Sequence, residues 1–307
     1  MRRARRWGCA ALAAFALAGG ARAEDGAAKC LPDELRMRAK FAEPKQLAAA
    51  LSELDGARKR ADKREVVARR FREAGCASVE EQSGAGLAEP NLVCRIPGKS
   101  ARTIAVGSSP EFDGWASAAL LPEIARAVAS APREHGYAIA LLSRALAEVP
   151  AGARVFADAL AAERPAIFLH LGPSGAANPL IGPESDERQL CALLELGRAL
   201  GAPIETLPAW SQANVPCPGT PLLSRGMNAP LALCETSAYS RFLDVDPFVR
   251  AQVPVVGVYA FPKRERTNFA MRVSPRLDPT LYVTSYRLLA AYAVALDQLL
   301  APGLPPE

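Results

Sequence analysis

Residues 102–126 read RTIAVGSSPEFDGWASAALLPEIAR, and their reading decides the fold. The run Thr103 to Val106 is apolar without alternation, the pattern of a strand buried on both faces of a sheet. Small residues then turn the chain, and Asp113 and Gly114 lead into an apolar-striped segment expected to be helical from about Ala116 to Ser130. Strand, loop and helix in this order build the sites of open α/β sheets, at the carboxyl end of the strand. The loop offers Ser108, Ser109, Glu111 and Asp113, and no histidine.

The same unit recurs along the chain. GYAIALL (136–142), PAIFLHL (165–171) and VPVVGVYAF (253–261) are further buried strands. Helical segments follow Pro150, run over DERQLCALLELGRALG to a stop at Gly201, and close the chain from Leu281 to Leu300. Upstream, residues 45–74 are helical in composition and stop at Gly75, and ASVEEQ (77–82) and NLVCRIP (91–97) are strand-like. Apolar strands alternating with helices imply an α/β, three-layer sandwich with a mixed, mainly parallel central sheet. A single domain over 24–307 is expected, with a helical and edge-strand region at 24–90 and a Pro- and Cys-containing excursion at 202–237.

The first 23 residues, MRRARRWGCAALAAFALAGGARA, have a basic start, an apolar middle and small residues at Ala21 and Ala23. That is the pattern of a secretory signal peptide cleaved near Ala23, and Trp7 to Ala18 is too short to span a membrane. A periplasmic or secreted location is therefore expected. The chain carries 37 basic and 32 acidic residues, and five of the basic ones lie in the leader, so the remainder is formally neutral. A polyanionic partner such as nucleic acid is not implied. The basic run RKRADKREVVARRFR (58–72) reads as an amphipathic helix with Val66, Val67 and Phe71 inward and a solvated charged face. Six cysteines outside the leader, Cys30, Cys76, Cys94, Cys191, Cys217 and Cys234, are expected as disulfides in an oxidising compartment. Connectivity stays open. Cys76 with Cys94, and a pair among Cys191, Cys217 and Cys234, are nearest in sequence, and no two cysteines have the spacing of a structural zinc site.

The order of elements resembles the di-zinc aminopeptidases of peptidase family M-28 and their glutaminyl-cyclase relatives. NLVCRIPGKSARTIAVGS is similar to the strand pair that opens that family's core, and WASAALLPEIARAV to its following helix. PAIFLHLGPSG resembles the strand ending in Asp-Met-x-Gly, DPFVRAQVPVVGVYAF the late proline-phenylalanine segment and its strand, and LDPTLYVTSYRLLAAYAVAL the closing helix.

The resemblance implies a site of two zinc ions, each held by a histidine and a carboxylate and bridged by an aspartate, with a glutamate as base. The metals would lower the pKa of bound water and polarise the scissile carbonyl. Such ligands must be deprotonated nitrogen or oxygen donors at about 2.0–2.2 Å. On the family pattern the first histidine and the acid two residues later fall on Ser109 and Glu111, and the bridging aspartate falls near Gly114, beside Asp113. The glutamate pair lands in SRALAEV, where only Glu148 is acidic. The third-strand aspartate falls on His170, and the last histidine near Val245, between Asp244 and Asp246. The chain's two histidines are His135 and His170, and His135 precedes a strand, away from the expected site.

Ser109, Glu111, Asp113, Glu148, His170, Asp244 and Asp246 are thus the residual cleft candidates, with no catalytic residue, metal or other cofactor expected. His170 could serve as a ligand or proton carrier, but is as readily satisfied by a neighbouring carbonyl. Glu111 and Asp113 could hold a hard cation or simply cap the next helix. GPSGA around Ser174 is not a Gly-x-Ser-x-Gly nucleophile elbow, Asp246 before Pro247 reads as a turn, and Trp115 and Trp210 read as core or pocket wall. The expected function is an exported, catalytically silent aminopeptidase-like protein with a binding or structural role in the cell envelope. Its partner would be a small molecule, a peptide or an envelope protein. The alternative is a peptidase or amidase with a rebuilt metal or metal-free site.

Overall fold

In the computed structural model, RTIAVGS forms β3 (Thr103–Ser108), buried throughout, at the centre of a mixed sheet. Residues 30–31, 35, 38–110, 115–143, 150–172, 174–182, 185–206, 244–260 and 277–301 are described. The elements are α1 (Pro44–Gly56), α2 (Arg60–Ala74), β1 (Ser78–Gln82), β2 (Asn91–Ile96), β3, α3 (Ala116–Ser130), β4 (Gly136–Leu141), α4 (Ala151–Leu160), β5 (Ile167–Leu171), β6 (Leu180–Ile181), α5 (Glu187–Ala199) and β7 (Glu205–Thr206). Beyond residue 243 follow α6 (Asp246–Arg250), β8 (Val255–Tyr259) and α7 (Pro279–Leu299).

The strand order is β1-β2-β4-β3-β5-β8-β6-β7. β4, β3, β5 and β8 run parallel, while β1, β2 and β6 introduce antiparallel pairs. Side chains alternate between faces along each strand, and here both faces are covered. Ile104, Val106, Ile139, Leu169 and Val256 pack with α1, α2, α3, α5 and α7. Ala105, Ala138, Phe168 and Val255 pack with α4 and α6, where Phe168 stacks on Phe248 at 3.9 Å with Phe156 edge-on to both. Three layers follow, as the continuous apolar strands require. Among the described residues no helix is long and apolar enough to cross a membrane.

Three details differ from expectation. The segment 45–74 is two helices, broken at Ala57–Lys59, and the second begins where the Asp62 carboxylate accepts the Lys59 backbone N–H at 3.4 Å. Its charged face is not simply solvated. Arg64 lies on the buried face with Val67 and Phe71, whereas Val66 is half-buried. Arg69 pairs with Glu53 and Glu73, and Arg70 reaches Glu53 (3.0 Å) and Glu123 (2.9 Å). Finally, Cys76 is joined to Cys94, but Cys191 is joined to Cys30, 161 residues away, and not to Cys217 or Cys234. The Glu195 carboxylate fixes that junction by accepting the backbone N–H of Leu31 at 2.8 Å. Cys217, Cys234, the leader (1–23) and most of the excursion at 202–237 lie outside the described residues.

Candidate functional site: the carboxyl edge of the sheet

From β3 the chain crosses to β4 on one side, with α3 in one helical layer, and then to β5 on the other side of β3, with α4 in the opposite layer. The topological switch point therefore lies between the carboxyl ends of β3 and β5, where α/β sheets bind ligands. Ser108 ends β3 and His170 lies next to the end of β5.

His170 shares the face of Phe168, as period two demands, and opposes Gly257 on β8. Tyr259, two residues on from that glycine, lies 5.5 Å from the imidazole between ring centroids. His170 Nδ1 lies 3.2 Å from the Tyr259 hydroxyl, and Nε2 lies 3.4 Å from Asp244 Oδ2. His170 and Asp244 are 5% and 8% exposed. One tautomer suits both neighbours: Nε2 carries the proton facing the carboxylate, and Nδ1 accepts from the phenol. Two of the seven sequence candidates thus meet. Asp246 does not join them, because it opens α6 and pairs with Arg250 four residues on at 2.8 Å. Ser109 is half-buried just past β3, while Glu111, Asp113 and Glu148 lie outside the described residues.

The surroundings hold this network rigidly. A Cβ at Gly172 would overlap the Tyr259 ring, so only glycine lets the chain leave β5 beneath that tyrosine. The Gly172 carbonyl accepts from Ser117 Oγ (2.7 Å) and Ser174 Oγ (3.2 Å), tying α3 to β5. Asn91 accepts from the Ser143 N–H at 2.7 Å and donates to the Gly152 carbonyl at 2.8 Å, joining the two ends of the β4–α4 connection. Ser108 Oγ is fully buried with no partner among the described residues. Trp115, which caps α3, has φ +84°, a left-handed conformation costing about 1–3 kcal/mol for a bulky residue.

His135 lies at the opposite edge, just before β4. The buried Asp297 carboxylate of α7 accepts its backbone N–H at 2.7 Å, faces its Nδ1 at 3.3 Å, and accepts from the Glu134 N–H at 2.8 Å. Among the described residues, the sole grouping of three His, Cys, Asp or Glu donors is Cys30, Cys191 and Glu195, whose sulfurs form a disulfide.

Sequence reading noted Ser108 in the loop after β3 but missed Tyr259 and Asn91. Tyr259 was legible in principle, as the one polar-tipped side chain in VVGVY, on the same face as the glycine opposite His170. No comparable signal marks Asn91, whose role depends on two loops meeting.

This architecture is that of the zinc-exopeptidase and glutaminyl-cyclase fold. The aminopeptidase LapA of Legionella pneumophila superposes with a TM-score of 0.61 at 12% identity, over 83% of this chain and 72% of that one. A Fimbriiglobus ruber glutaminyl cyclase gives 0.55 at 13% identity, over 86% and 99%. A leucine aminopeptidase precursor of Bacteroides thetaiotaomicron gives 0.55 at 11%, over 84% and 99%. No protein-family model matches the sequence, and no curated protein matches it. At these identities the likeness defines the fold, in agreement with the α/β sandwich expected from sequence.

Proposed function

We propose that the protein is an exported, catalytically silent relative of the aminopeptidases, using the fold for a binding or structural role in the cell envelope. One observation carries this reading: both histidines of the chain are already engaged, His170 by Tyr259 and Asp244, and His135 by Asp297 at the far edge. A zinc ligand must offer a free nitrogen lone pair. His170 is 5% exposed, and its two nitrogens face the Tyr259 hydroxyl and the Asp244 carboxylate. The leader-like first 23 residues, the even set of six cysteines outside it and the two disulfides support export.

The test is elemental analysis of the purified protein, refolded with zinc and then freed of loose metal, beside assays with aminoacyl anilides and an N-terminal glutaminyl peptide. The expected result is folded protein without stoichiometric zinc and without turnover above buffer. Stoichiometric metal lost on His170→Ala, or turnover abolished by that change, would replace this reading with a hydrolase whose site has been rebuilt.

A further inference from the structure

Cys191 and Glu195 stand four residues apart on α5, which places them one above the other on a single helix face. Cys30, bonded to Cys191, meets that face, where the Glu195 carboxylate accepts its backbone N–H at 3.2 Å and that of Leu31 at 2.8 Å. One donor atom from each residue, two sulfurs and a carboxylate oxygen, lies within 4.8 Å of the other two. All three residues are partly exposed, so the group is open to solvent.

Two donors held 2.0–2.3 Å from one zinc ion are at most about 4.6 Å apart. The trio is gathered to nearly that span, on a helix and on a segment pinned to it. Two sulfurs and a carboxylate oxygen suit zinc, with water as the fourth ligand. While the S–S bond exists the sulfurs are not thiolates, and only the thiolate binds metal. Once the bond opens, rotation about each Cα–Cβ bond moves the sulfurs apart and admits an ion. The carboxylate has about four lone-pair sites, and the N–H groups of Cys30 and Leu31 take no more than three, so Glu195 can bind metal without releasing the segment.

We propose that Cys30, Cys191 and Glu195 form a redox-gated zinc site, closed as a disulfide and opened by a dithiol reductant. In the exchange the dithiol is oxidised to its own disulfide, and two electrons and two protons pass to Cys30 and Cys191. Zinc displaces both thiol protons as it binds. Oxidation reverses the sequence: two electrons leave the thiolates, the S–S bond returns and the ion is released. The site packs with α5 on the sheet face opposite His170, and does not depend on the reading of that residue.

The experiment titrates the full chain with cobalt(II), a spectroscopic substitute for zinc, before and after reduction by dithiothreitol and removal of the reductant under argon. Circular dichroism monitors the fold of each sample. The expected result is stoichiometric cobalt in the reduced chain, with a thiolate-to-cobalt charge-transfer band that zinc abolishes, and no band from the disulfide-bonded chain. Cys30→Ser and Cys191→Ser lose the band, Glu195→Gln weakens binding about tenfold or more, and Cys76→Ser leaves the band in place. No band from the reduced chain, whether or not it stays folded, overturns the site. A band retained in Cys30→Ser also overturns it, by assigning the metal to other cysteines, and unchanged affinity in Glu195→Gln overturns the three-donor arrangement. Zinc held here is lost on Cys30→Ser and kept on His170→Ala, the reverse of the result that would replace the proposed function, so the two failures are distinguishable.

Discussion

Replacing Glu123 by alanine tests what fixes α2 against the rest of the molecule. Glu123 sits on α3 at 1% exposure, its carboxylate 2.9 Å from Arg70 Nη2 and 3.2 Å from Arg126 Nε. Arg70 is 13% exposed and also reaches Glu53 on α1 at 3.0 Å, so one buried guanidinium joins three helices. Removing one partner of a buried ion pair costs about 3–5 kcal/mol, because the other charge stays buried. Arg70 keeps Glu53, and Arg126, one-third exposed, regains water, which places Glu123→Ala at the low end, about 3 kcal/mol. At about 2–4 °C per kcal/mol, the melting temperature falls by roughly 6–12 °C. The double change Arg70→Met with Glu123→Leu removes both charges and restores stability to within about 1 kcal/mol of the parent. Urea unfolding at constant m-value is the assay. A loss below about 1 kcal/mol for Glu123→Ala, or a double variant no better than the single one, would refute the buried-pair reasoning.

Three further outcomes follow from the same geometry. Gly172→Ala should cost about 1–3 kcal/mol by overpacking and shift the ring resonances of His170 but not His135, since the new methyl displaces Tyr259; unmoved His170 resonances would break that link. Burial raises the Tyr286 phenol to about 12, and pushes Tyr137 and Tyr292 up as well. The folded state therefore holds these protons above the unfolded pKa near 10, so stability is intact below about pH 10 and falls as pH rises towards 12, by under about 3 kcal/mol for Tyr286. Phenolate absorbance from the buried tyrosines should appear together with loss of the circular dichroism signal, and full titration near pH 10 in folded protein would contradict it. The chain-entropy account also ranks the disulfides: opening Cys30–Cys191, separated by 161 residues, should lower stability by roughly 5 kcal/mol, and opening Cys76–Cys94, separated by 18, by roughly 3. Paired Cys-to-Ser variants in urea measure both, and the reverse order would contradict the model.

The parallel strands were legible because each is a short, unbroken apolar run that only a doubly covered sheet explains, as β3 and β5 show. His170 was found for a similar reason, being the single titratable residue in IFLHL. Its partner Asp244 was placed near the site through the family pattern, but sequence could not choose between it and Asp246. That choice depends on one helical step: Asp244 precedes α6 and turns inward, while Asp246 opens the helix and meets Arg250. Arg64 escaped detection because hydropathy assigns arginine to the solvated face, although its position three residues before Val67 puts it on the buried stripe. The Cys30–Cys191 bridge was illegible for a different reason. Proximity in sequence ranks cysteine pairs by loop entropy alone, whereas docking of Cys30 on α5 is decided by tertiary contacts such as Glu195 with the backbone of residues 30 and 31.

A metal centre needs donors held together yet left unsatisfied by protein, a costly arrangement in a buried site. At the end of β5 the described groups lie close to one another. Gly172 makes room for Tyr259, whose hydroxyl lies beside Nδ1 of His170, and Asp244 faces the other nitrogen. The three layers persist between this chain and its structural neighbours at 11–13% identity, and a shared fold does not by itself carry a shared chemistry.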